Sequence, residues 1–131
     1  MKYKNPTASK NVVAFEFHIN WKHPLVLVEG VYDAIAVKRN AIPLLGKTIP
    51  NKLLQQIYAH NVKQIYLALD TDALSATADI ASLLVQNGLE VRLVPLDGKD
   101  PSEIGFSRMV DLIKQAKPLS FADLIKLRVT A

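Results

Sequence analysis

Seven of the twelve acidic residues in this chain fall into three short clusters: Glu29 with Asp33, Asp70 with Asp72, and Asp97 with Asp100 and Glu103. The sixteen Lys and Arg are spread along the sequence instead. Carboxylates gathered beside apolar chain are poorly solvated and repel one another, so the arrangement is unfavourable unless a cation compensates. Mg²⁺ takes oxygen ligands octahedrally and is commonly held by one or two carboxylates, waters and a substrate phosphate. It neutralises charge on a reacting phosphate and positions the attacking oxygen. The chemistry these residue types suit is therefore phosphate chemistry on nucleic acid, in an acidic pocket on a basic body.

The elements that must position these carboxylates can be read from hydrophobic patterning. Leu25 to Val28 (LVLV), Ile65 to Leu69 (IYLAL) and Val91 to Leu96 (VRLVPL) are continuous apolar runs, expected to be strands buried on both faces. A short strand is expected at Ala41 to Leu45, and the alternation of Val12 to Ile19 predicts a half-exposed one. Helices are predicted over Val31 to Arg39, Asn51 to His60 and Leu74 to Asn87, the last closed by Gly88. After a loop, DGKDPSEIG, come helices from Phe106 to Ala116 and from Phe121 to Arg128, the latter capped by Ser120 with Asp123 at its third position. Strand alternating with helix at this spacing implies βαβ units and a central, mostly parallel sheet with helices on both faces, an α/β Rossmann-like fold. Ligands of such sheets sit outside the carboxyl ends of the strands. Glu29 closes the first buried run, Asp70 the second, and Asp97 and Asp100 follow the third.

Composition bounds the remaining choices. At 131 residues and 50% hydrophobic content the chain suits a single domain over 1–131, with a loose tail at 1–10, a motif-bearing core at 25–106 and C-terminal helices at 107–131. No apolar run reaches the roughly 18 residues of a membrane span, and no signal-peptide core follows the basic start, so a soluble, cytoplasmic protein is expected. With no cysteine and three scattered histidines (His18, His23, His60), disulfides and zinc sites of the Cys/His kind are excluded. A metal here should be a hard ion held by oxygen. The net charge of +4 suits a polyanionic partner.

Each residue also has a structural alternative. Asp70 or Asp72 could cap the helix that follows, Glu29 could be an ordinary strand-end residue, Asp33 could favour the helix dipole from a first turn, and Asp100 before Pro101 could make a plain turn. Gly30 permits close backbone approach or is purely structural. Lys22, Lys38 and Lys99 are candidates for phosphate contact or solvated surface. Trp21 could stack on a base or belong to the core, and Tyr32, between Gly30 and Asp33, is the aromatic nearest the acidic residues.

The segments VEGVYDAIAV (Val28 to Val37), LALDTDA (Leu67 to Ala73) and VPLDGKDPSE (Val94 to Glu103) resemble, in order and spacing, the three motifs of the Toprim domain in the form found in DnaG-type, phage-like primases. The resemblance covers about Leu25 to Phe106. It implies a compact α/β domain in which Glu29 acts in acid or base chemistry or near the metals, Asp70 and Asp72 hold Mg²⁺ or Mn²⁺, Asp100 helps bind further metal, and Asp33 supports the acidic site. Two departures bear on function. Cellular primases resemble D-x-D-x-A-G-R after the aspartate pair, whereas Ala73, Leu74, Ser75 and Ala76 supply neither glycine nor a basic residue. They also resemble D-P-D at the third motif, where this chain has Ser102.

The activity implied is that of a primase catalytic module, joining ribonucleotides from NTPs on a single-stranded DNA template, alongside a replicative helicase or a separate zinc-binding or basic primase domain. Only about 24 residues precede the first motif strand and no cysteine is present, so a fragment, a subunit working with other chains, or a reduced homologue is expected. A small metal-dependent Toprim nuclease is the alternative enzyme. A non-catalytic module that binds nucleic acid or a replication protein is the alternative from outside enzymology.

Overall fold

The structure is a computed structural model that describes residues 19–37, 40–44, 48–69, 74–94, 96 and 101–130. Its elements run β1 (Leu25–Val28), α1 (Val31–Val37), β2 (Ala41–Pro43), α2 (Asn51–Ala59), β3 (Gln64–Ala68), α3 (Leu74–Gln86), β4 (Glu90–Leu93), α4 (Pro101–Ile104), α5 (Phe106–Gln115) and α6 (Phe121–Thr130). The strand expected over Val12 to Ile19 lies outside the described residues but for its last position.

The four strands form one sheet in the order β2-β1-β3-β4, with all pairs parallel. All four residues of β1 are buried, as its unbroken apolar run requires. Alternation then sends Leu25 and Leu27 to one core and Val26 and Val28 to the other. The first core holds Leu53 and Ile57 of α2, Ile80 and Leu84 of α3, and Leu124 of α6. The second holds Ala34 and Val37 of α1 and Met109, Leu112 and Ile113 of α5. Helices thus cover both faces, and the sidedness follows from chain direction. The step from β1 to β2 runs one way along the sheet with α1 on one face, and the steps to β3 and β4 run the other way with α2 and α3 on the opposite face. Crossovers of one hand require that placement.

Local chemistry sets the ends of the elements. α3 closes at Gly88, whose φ of 83° suits a residue without Cβ. Gly88 N–H donates to Val85 O at 3.0 Å and Leu89 N–H to Leu84 O at 3.1 Å, the paired bonds of a Schellman motif. Asn61 ends α2 in the same way at φ 55°, with Asn61 N–H on Tyr58 O and Val62 N–H on Ile57 O. α6 begins with a capping box. Asp123 N–H donates to Ser120 Oγ at 3.1 Å and Ser120 N–H to Asp123 Oδ2 at 3.0 Å. These two bonds, the backbone one first, hold the Asp123 carboxyl below its ordinary range, with help from Lys126.

Two expectations are corrected. The last strand stops at Leu93 rather than Leu96, although Val94 N–H still reaches Leu67 O at 2.9 Å. Pro95 has no N–H with which to continue a ladder. The segment after it is not all loop: Pro101 to Ile104 forms α4, where Pro101 occupies the first helical position that proline suits. Gly105, at φ 86°, closes α4 through its N–H to Pro101 O and then caps α5.

Candidate functional site

Strand order determines where a site can open. From β1 the chain moves to β2 on one side, and from β3 to β4 on the other, so β1 and β3 are neighbours whose connections diverge. Their carboxyl ends flank the crevice where such sheets bind ligands. The register pairs Val28 with Ala68, so both strands reach this edge together. Glu29 follows Val28 there and is half-buried. β3 leads through buried Leu69 into Asp70 and Asp72, which, with Asp100, lie outside the described residues.

Asp33 is half-buried in the first turn of α1, where a negative charge suits the helix dipole. A Cβ built on Gly30 would meet Asp33 Oδ2 at 3.7 Å, which places that carboxylate over the turn between Glu29 and α1. For Gly30 itself, 3.7 Å is an ordinary contact and no left-handed backbone angle is imposed, so the fold of this chain does not require glycine there.

The described end of the third motif lies on a helix that packs against the helix of the first. β4 is two strands from β1, but α4 packs against α1, the helix that carries Asp33. Buried Pro101 and exposed Glu103 thus stand on a helix that packs against α1.

Of the basic candidates, Lys22 is exposed in the turn before β1, at the edge opposite Glu29, while Lys38 and Lys99 lie outside the described residues. Arg108 is exposed in the first turn of α5. Trp21 packs against the first core and stacks on His60, with ring centroids 4.8 Å apart and planes 9° from parallel. Tyr32 is 81% exposed. Sequence reasoning had no signal for the docking of α4 on α1, nor for the Trp21–His60 pair, because both join segments distant in sequence. Among the described residues no three His, Asp or Glu come together as a metal cluster, and no helix is long and apolar enough to cross a membrane.

Comparison with known proteins agrees with this geometry. The Toprim-like family model matches residues 26–104, from β1 through α4. The chain is 28% identical over 102 residues to an uncharacterized protein of Mycoplasma pneumoniae, the MG010 homolog, covering 73% of this chain and 48% of that one. It is 30% identical over 73 residues to the uncharacterized MG010 of Mycoplasma genitalium, covering 53% of this chain and 34% of that one. It spans about half or less of the length of these curated relatives. The crystal structure of the Aquifex aeolicus primase, comprising zinc-binding and RNA polymerase domains, superposes with a TM-score of 0.64 at 27% identity, over 84% of this chain and 30% of that one. With an all-parallel sheet, an acidic strand end at its switch point and these matches, the chain belongs to the Toprim-like family, as a module of the primase type.

Proposed function

We propose that the chain serves Mg²⁺-dependent nucleotidyl transfer in DNA replication, as the Toprim catalytic module of a primase that joins ribonucleotides on a single-stranded DNA template. The observation that carries this reading is the placement of Glu29 at the β1–β3 switch point, with Asp33 folded over the adjoining turn and β3 leading into Asp70 and Asp72. The similarity to a primase structure supplies the reaction class.

The donor set fits a hard divalent ion, because every candidate ligand is a carboxylate. Asp70 and Asp72 would hold Mg²⁺ or Mn²⁺, with Asp100 as an accessory ligand. When bound, the ion supplies charge neutralisation on the reacting phosphate. Glu29 acts in acid or base chemistry on the attacking hydroxyl or beside the ion, and its place after a buried strand limits its access to water. Asp33 orients the turn that carries Glu29. Lys38 and Lys99 would contact phosphate, whereas Lys22, on the opposite edge, is left out of that contact. Partners would include NTPs, the template, a replicative helicase, and a zinc-binding or basic primase domain on the same or another chain.

The test is a titration of Mg²⁺ and Mn²⁺ into wild type and Asp70→Asn, paired with template-dependent incorporation of labelled NTP. Loss of a partner one shell out commonly costs 10- to 100-fold in metal affinity, so a direct ligand should cost about tenfold or more. Unchanged ion affinity in Asp70→Asn removes the metal assignment. Metal-dependent cleavage of DNA without incorporation would replace primase by nuclease. Nucleic-acid binding that survives Asp70→Asn and Asp72→Asn, with no turnover by wild type, would replace both by a binding module.

A further inference from the structure

A second concavity opens at the other end of the sheet, in the space between the turn before β1 and the end of α5. It has a volume of about 510 Å³ and is lined by His23, Val26, Tyr66, Ile113 and Lys114, among others. Ligand pockets generally run from about 300 to 1,000 Å³. Pro24, on its rim, is five residues before Glu29 along β1. At roughly 3.3 Å per residue this separates the two sites by about 16 Å.

The lining has two chemistries. Val26 and Tyr66 are register partners on adjacent parallel strands, so their side chains stand together on one face and, with Ile113, make a largely apolar floor with one aromatic ring. Lys114 and the His23 ring also line it, both exposed, and among the described residues neither holds an ion-pair partner and no carboxylate lines the cleft. Lys114 suits the last turn of α5 on dipole grounds, but that does not account for a neighbouring imidazole over the same hollow. The wall is rigid. Asn40 Nδ2 donates to Asn20 O at 2.8 Å and Pro24 O at 3.0 Å, which fixes the 20–24 turn against the start of β2. An apolar, ring-bearing floor under unneutralised N–H donors matches a planar ring attached to an anion.

We propose that this cleft binds a small organic phosphate of the nucleoside monophosphate class, with the ring on Val26, Tyr66 and Ile113 and the phosphate on Lys114 and His23. The site is distinct from the acidic edge and requires no metal.

Calorimetric titration of AMP into the full chain in EDTA tests it, with adenosine and inorganic phosphate as separate arms. Saturable AMP binding is expected in EDTA, weakened at least tenfold by Lys114→Gln and by His23→Ala, with adenosine and phosphate each binding more weakly than AMP. Both side chains are exposed, so thermal melts of the variants should match wild type. AMP binding that appears only with Mg²⁺ belongs to the acidic edge and overturns the proposal. Adenosine binding as tightly as AMP, AMP affinity unchanged in both variants, or no AMP binding at millimolar concentration overturns it as well.

Discussion

Substituting Asn40 should destabilise the protein in the order Gly, Ala, Asp, from least to most. Asn40 has φ 48°, in the left-handed region. Its Oδ1 accepts from Asn20 N–H at 2.7 Å, and its Nδ2 donates to Asn20 O at 2.8 Å and Pro24 O at 3.0 Å. At a half-exposed position water can replace each bond, so the low end of about 0.5 kcal/mol apiece applies, about 1.5 kcal/mol for these three, with a longer contact from Nδ2 to His23 O at 3.4 Å adding little. Alanine loses the bonds and also adopts left-handed backbone at a cost of about 1 kcal/mol, for a total near 2.5 kcal/mol. Glycine loses the bonds without that strain, about 1.5 kcal/mol. Aspartate keeps one acceptor but turns a carboxylate towards the carbonyl oxygens of Asn20, His23 and Pro24, so it should cost at least as much as alanine. Urea unfolding followed by tryptophan fluorescence measures this directly, since Trp21 is the only tryptophan and lies in the clamped turn. Equal losses for Asn40→Gly and Asn40→Ala would refute the backbone argument. A loss under about 0.5 kcal/mol for Asn40→Asp would refute the assignment of the amide donors.

Glycines 30 and 105 should respond oppositely. Gly105→Ala meets no atom within 4 Å, but φ 86° and ψ 161° should cost about 1–3 kcal/mol in chemical denaturation. Gly30→Ala should change stability by less than about 0.5 kcal/mol while weakening binding of Mg²⁺ with NTP, because only a ligand from outside needs the space. The capping box of α6 should make stability depend on acid. The Asp123 carboxyl is held below its ordinary value near 3.8, so its contribution is present above that value and lost as the pH falls through the lower folded one. The melting-temperature difference between wild type and Asp123→Asn should therefore be seen at pH 7 and disappear in strong acid. A difference that persists unchanged would show that the carboxylate is not what stabilises the cap.

Much of the architecture was legible in sequence because its determinants are local. LVLV between Pro24 and Gly30 reads as a doubly buried strand, and β1 is that strand to the residue. Gly88 and the Ser120–Asp123 pair mark helix ends through bonds spanning only a few residues. The boundaries that differ also have local reasons: the apolar run continues past Pro95 while the strand ends at Leu93, and the single turn of α4 is too short to show a helical period. The acidic residues are visible as types and spacings, and the LVLV run alone puts Glu29 at a strand end. Which strand ends are neighbours was settled by the fold. The order β2-β1-β3-β4, the packing of α4 on α1 and the cleft between the 20–24 turn and α5 all depend on contacts between segments far apart in the chain. Sequence alone therefore determined that carboxylates would stand at the ends of buried strands. Tertiary packing decided that β1 and β3 open side by side and that a second hollow, with Lys114 in its lining, lies at the far end, because both depend on how distant segments pack on the sheet.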